Sequence, residues 1–181
     1  MKKSIVMFWL VSSFLCAGEI STSISEDLVN QYFKVLGSHQ VMAGKKGSQA
    51  FWSIKNPRVK FIDGRADFLA TVLFEKDKVN IKKDIKKPIE IFYDENKNQL
   101  KLIIQDALIK MERRGTVLGK VDLGLIYQTG LVFPGPKPVL NSFKMKTKLG
   151  KVKVQVLTKE NNIYYEEGAI RFAIDINYEI L

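Results

Sequence analysis

The residue types that carry most enzyme chemistry are scarce in this chain. Among 181 residues there is one histidine, His39, and one cysteine, Cys16. A Ser/His/Asp or Cys/His site would have to use His39. That residue lies in GSHQVMAGKKGSQ, residues 37–49, with no nucleophile motif such as G-x-S-x-G beside it, and it reads as an ordinary surface histidine. A zinc site needs several His, Cys or acidic ligands at suitable spacing, and the chain does not offer them. AGKKGSQ, residues 43–49, has the residue types of a phosphate loop but not the G-x-x-x-x-G-K-[ST] spacing, and no clear strand feeds it. It reads as a flexible loop whose Lys45 and Lys46 could meet an anionic headgroup. The acid pairs Asp94-Glu95 and Glu166-Glu167 fall in turn-like stretches, and no local context favours the facing carboxylates a glycosidase needs. No catalytic residue, cofactor or metal is expected.

Charge is the stronger chemical signal. The formal net charge is +10. Two runs concentrate it, KVNIKKDIKK at residues 78–87 and KMKTKLGKVKV at residues 144–154. Neither contains an aromatic residue, so neither looks like a nucleic-acid platform. A basic face of this kind suits an anionic membrane surface or an acidic partner. The plainer alternative is solvated strand faces, where lysine also discourages edge-to-edge pairing.

The chain opens MKKSIVMFWLVSSFLCAGE, with a basic start, a short apolar centre and small residues at its end. Those are the three parts of a secretory signal, with cleavage expected after Ala17 or Gly18. The protein is then periplasmic or secreted, and an uncleaved anchor is the alternative. Cys16 follows the apolar run as a lipidated cysteine would, but Phe14 and Leu15 before it are bulky for a lipoprotein box. Removing residues 1–17 takes away Lys2 and Lys3 and no acid, lowering the formal charge from +10 to +8. Residues 18–181 are expected to form a single α+β domain.

Its elements follow from periodicity. SISEDLVNQYFKVLG, residues 23–37, has a capping-box spacing from Ser23 to Glu26. Ile24, Leu28, Tyr32 and Leu36 form an apolar stripe, widened by Val29 and Phe33, and Gly37 can end the helix. In KFIDGRADFLATVLFE, residues 60–75, Asp63-Gly64 separates two apolar runs as a hairpin turn does. PIEIFYDENKNQLKLIIQDALIKM, residues 88–111, reads as two strands joined at Asp94–Asn98, with a bulge or bend near Gln105-Asp106. Glycine and proline across 113–138 argue against a long helix, and residues 134–138 cannot join a central strand. SFKMKTKLGKVKVQV and GAIRFAIDINYEIL alternate to the end of the chain. The expected architecture is an N-terminal amphipathic helix packed on a long, strongly curved antiparallel sheet, a partly closed barrel.

One helix covers only part of such a sheet, so an apolar groove between helix and sheet could hold an acyl chain. Alternation nominates Phe68, Val72, Phe74, Ile89, Ile91, Leu100, Leu102, Phe172 and Ile174 as its lining. A normally filled core is the alternative. The helix ISEDLVNQYFKVLG followed by NPRVKFIDGRADFLATVLF and KPIEIFYDENKNQLKLIIQDALIKM resembles the YceB-like periplasmic proteins of the tubular lipid-binding (TULIP) group. That resemblance implies a curved sheet wrapped on a helix and a lipid-holding interior. The leading expectation is thus a non-enzymatic, envelope-associated protein that binds lipid or another apolar small molecule. A module with a filled core, binding an acidic partner through a basic face, is the second.

Overall fold

Asp63-Gly64 forms the expected turn, with Gly64 at φ 79°, a conformation that costs glycine little. The computed structural model describes residues 18–43, 49–127, 131–136, 141–148 and 150–181. The leader expected at residues 1–17, Cys16 included, lies outside them, as do Lys45 and Lys46. In chain order the elements are β1 (Gly18–Ser25), α1 (Glu26–Leu36), β2 (His39–Ala43), β3 (Ala50–Ile62), β4 (Arg65–Lys76), β5 (Val79–Asp94) and β6 (Gln99–Ile104). They continue with β7 (Leu108–Arg113), β8 (Thr116–Asp122), α2 (Leu123–Tyr127), β9 (Val132–Pro134), β10 (Ser142–Thr147), β11 (Gly150–Glu166) and β12 (Ala169–Ile180).

Every strand pairing is antiparallel. One sheet has the order β1-β12-β11-β10, a second β2-β3-β4-β5-β6-β9, and β7-β8 is a separate hairpin. The sheets curl as half-barrels, and strands hold 73% of the described residues. The fold is therefore more β-rich than the α+β class expected. Residues 18–25 are a strand, and Ser23 and Ile24, expected at the start of the helix, belong to it, with Ile24 opposite Ile170. Residues 39–43, which sequence pattern alone reads as a small-residue loop or a frayed continuation of the helix, pair with β3 as an edge strand. Pro134 sits at the end of the edge strand β9, where a missing N–H is tolerated.

The helix begins later than Ser23 suggests. Ser25 is its cap, accepting from the Leu28 amide at 3.2 Å. The Glu26 carboxylate does not close a capping box; it accepts from the Phe61 amide of β3 at 2.7 Å. Asn30 brackets Val59, accepting from its amide at 2.7 Å and donating to its carbonyl at 3.2 Å. These bonds lock α1 onto β3. Val29 and Phe33 are buried, whereas Leu28, expected in the stripe, is half exposed.

Phe33 then meets Phe68 and Tyr127 edge-on, with ring centroids 5.6 and 5.3 Å apart. Across the two sheets Tyr93 tilts against Phe172 at 4.5 Å. Trp52, Phe61, Phe68, Phe74 and Phe172 are all fully buried. Each such side chain contributes about 1.5–3 kcal/mol through removal from water.

Candidate functional site

β5 is the longest strand of its sheet, and its two flanking ladders overlap only at Ile89. Residues 79–89 pair with β4, but β6 covers only Ile89–Asp94. The last bond on the β6 side runs from the Gln105 amide to the Pro88 carbonyl, at 2.9 Å. Proline has no N–H to return, so the ladder weakens there. Asp106 follows with φ 46°, a left-handed turn that swings the chain off the sheet. The bend expected near Gln105-Asp106 is present, and it opens a seam.

Beyond the bend, β7 pairs only with β8 among the described residues. The β7-β8 hairpin leans onto the end of β3 and β4. At Gly119 an added Cβ would lie 2.8 Å from the Phe74 ring and 3.0 Å from Trp52, so only glycine permits this approach. Leu123 donates to the Ala107 carbonyl at 3.0 Å and ties down the hairpin's base. Between β5 and β7 lies an open cleft of about 790 Å³, bordered by residues 81–87 and 108–112.

Its chemistry is cationic over an apolar floor. Ile85, Ile109 and Met111 are buried beneath it, and Ile81 is partly so. Five lysines border it, Lys82, Lys83, Lys86, Lys87 and Lys110, against the acids Asp84 and Glu112. Asp84 accepts from the Thr71 hydroxyl at 2.6 Å, and Lys86 pairs with Asp67 at 3.0 Å. Among the described residues, Lys82, Lys83, Lys87 and Lys110 have no ion pair. Strand alternation places Lys83 and Lys87 on the same side as Ile81 and Ile85, with Lys82 and Lys86 on the other. Positive charge therefore reaches both faces of the seam.

A second cationic surface is the β10-β11 hairpin. Lys144 lies opposite Lys153 and Lys146 opposite Lys151, like-charge pairs that disfavour the hairpin. On its other side Phe143 faces Val154 and Met145 faces Val152, and Phe143, Met145, Tyr178 and Ile180 are exposed.

A smaller apolar recess, of about 340 Å³, lies between β6 and α2. It is bordered by Leu102, Ile103, Ile104, Tyr127 and Leu131, with Lys101 and Gly124 at its margin. Lys101 is bonded to Asp94 at 2.9 Å, and that bond holds the Asp94 carboxyl below the usual range. Burial pushes the Tyr127 hydroxyl up to about 12. That hydroxyl and Trp52 Nε1 are buried without a hydrogen-bond partner among the described residues.

The nine residues nominated from alternation, Phe68, Val72, Phe74, Ile89, Ile91, Leu100, Leu102, Phe172 and Ile174, are all buried in one core cluster. Leu102 borders the recess, and Ile174 borders a hollow of about 50 Å³ beside Tyr93 and Thr158. The aromatic members pack on other core rings. His39 lies in β2 with its ring 5.5 Å from that of Tyr127. No group of three or more metal-ligating side chains occurs among the described residues. The seam lysines were visible in KVNIKKDIKK as charge. Their grouping with Lys110 depends on the bend at Asp106, which spacing alone does not convey.

Comparison with known proteins finds no matching family model, no matching curated protein and no matching solved structure. The resemblance to the YceB-like proteins rests on the sequence patterns alone.

Proposed function

We propose that this protein is a non-enzymatic interaction module of the cell envelope that binds an acidic partner in the seam between β5 and β7. The observation that carries this reading is the set of lysines on an open cleft that have no ion pair among the described residues. Four cations held close together repel one another, and an anionic ligand relieves that repulsion as it binds. The leader-like residues 1–17 support an envelope setting. Among the described residues no helix is long and apolar enough to cross a membrane.

The test is a titration with a fluorescein-labelled oligoglutamate peptide at about 50 and about 300 mM salt. Binding should weaken steeply with salt, and the double substitution Lys82→Glu, Lys83→Glu should cost at least about tenfold in affinity. Binding that is absent, or indifferent to both changes, overturns the reading.

The recess between β6 and α2 favours a second reading, a lipid or other apolar small molecule held in a sheet-helix groove. Its volume of about 340 Å³ is at the small end of ligand pockets, and most of its border is apolar. Native mass spectrometry of detergent-free protein tests it. A lipid-mass adduct that Ile103→Glu abolishes supports it. A clean mass with no uptake of added fatty acid overturns it.

A further inference from the structure

The geometry points to one occupant for the seam: an extended acidic segment of a partner polypeptide, inserted as a strand between β5 and β7 and paired with both. This rests on the acidic-partner reading and specifies how the partner is held.

The first argument is the pair of unused strand edges. β5 and β6 stay in register to Ile89 opposite Ile104, and the Gln105-to-Pro88 bond extends the ladder by one step. Along a regular strand the N–H and C=O of one residue point the same way, and the direction alternates. The Pro88 carbonyl points toward β6, so the backbone groups of Lys86, Asp84 and Lys82 point into the seam. The β4-β5 register has no irregularity that would break this alternation. Across the cleft, β7 pairs on its β8 side only, among the described residues. Two such edges bordering one cleft are a ready template for an added strand.

Size and charge agree. A strand occupies about 4.8 Å across the sheet, about 10 Å through it and about 3.3 Å per residue, or about 160 Å³ per residue. The cleft of about 790 Å³ thus accommodates about five residues of strand. The β7 border, from Leu108 to Glu112, has the same length. An inserted strand would project alternate side chains to the two faces. Acids on one face meet Lys82 and Lys110; acids on the other meet Lys83 and Lys87. A second copy of this chain is a poor occupant, because each copy is strongly cationic, formally +10 with residues 1–17 and +8 without them. An anionic lipid headgroup satisfies the lysines but offers no regular row of amides to either edge.

Two-sided pairing makes a demand that charge alone does not. A strand flanked on both sides uses its odd-numbered amides toward one neighbour and its even-numbered amides toward the other. The probe is a labelled peptide of about eight alternating valines and glutamates, long enough to span the cleft. It is compared with two versions, one N-methylated at every valine and one at every glutamate. Fluorescence anisotropy with the purified protein should show binding of the parent and a loss of at least about tenfold with either methylated version.

If only one methylation matters, the strand adds to a single edge and the insertion is overturned. If neither matters while Lys82→Glu, Lys83→Glu still weakens all three peptides, the acidic-partner reading stands and the insertion falls. If no peptide binds, both fall, including when phosphatidylglycerol vesicles bind instead. The methylated peptides report on the unaltered protein, so the result does not depend on how well a variant folds.

Discussion

Two places where curled strands of this protein meet have opposite outcomes. At the first, the β3-β4 turn meets the β11-β12 turn and the start of α1, and the junction is stitched shut. Glu26 donates to the Gly168 carbonyl at 2.8 Å, Gly168 to Phe61 at 3.1 Å and Gly64 to Tyr165 at 3.2 Å. The Glu26 carboxylate accepts from Phe61 at 2.7 Å, and Lys60 reaches Glu167 at 3.1 Å. At the second, β5 meets β7 with a proline at the fork, a left-handed Asp106 and five lysines to two acids. Donors find acceptors and charges find partners at the first; at the second the β5-β6 ladder stops at the Gln105-to-Pro88 bond, and of the five lysines Lys86 alone has an ion pair among the described residues. Closure of a curled sheet thus depends on matched backbone groups and balanced charge, and apolar residues beneath both places do not suffice.

Four substitutions test this contrast. The largest effect is expected at the core that underlies both regions. Phe68→Ala removes a fully buried ring that touches Phe33 and Tyr127, and should cost about 3–5 kcal/mol in denaturant unfolding. Phe68→Asp, which buries a carboxylate at the same place, should not yield folded protein. A Phe68→Ala cost under about 1 kcal/mol would mean that the core is loosely packed.

Next comes the stitched junction. Glu26→Ala removes the acceptor of the Phe61 amide and should cost about 1–3 kcal/mol by the same measurement, leaving peptide binding at the seam unchanged. An equal loss at both places would show that the two are mechanically coupled rather than contrasting.

Tyr127→Phe acts in the other direction. It deletes a buried hydroxyl that has no partner among the described residues, and should stabilise by about 1 kcal/mol in thermal melts. It also changes the alkaline limit. The folded hydroxyl titrates near about 12, above its ordinary value of 10.0. The unfolded chain therefore loses this proton first. The associated stability is present below pH 10.0 and is lost progressively as pH rises toward about 12. The phenylalanine variant should lose that part of the alkaline sensitivity, as alkaline unfolding curves would show.

The smallest effect belongs to the open seam. Lys83→Gln removes a cation with no ion pair among the described residues, and should change stability by less than about 0.5 kcal/mol in either direction. A clear loss would reveal a contact that closes the seam in solution.

The legible features were those with a short-range cause. Asp63-Gly64 announced its turn, and the alternation of Ala66, Phe68, Ala70, Val72 and Phe74 matches a fully buried face. The helix was legible in kind and misplaced in detail. Ser23 and Ser25 both precede acids, and only the pairing of β1 with β12 through Ser25 decides which one caps. β2 was illegible because an edge strand of five residues draws its extended shape from β3 rather than from its own pattern. In β5, lysines at inward positions obscured an alternation that is regular in the structure.

The turns, the alternating strands and the amphipathic helix are written in residues a few positions apart, and the basic charge and the single histidine and cysteine are matters of composition. Tertiary structure alone decided that Lys82, Lys83, Lys87 and Lys110 share one cleft, and that the nominated apolar residues meet in one core. The cleft exists because Gly119 lets a hairpin rest on Trp52 and Phe74, more than forty residues away in the chain. Contacts of that separation follow from packing between elements, and no local periodicity carries them.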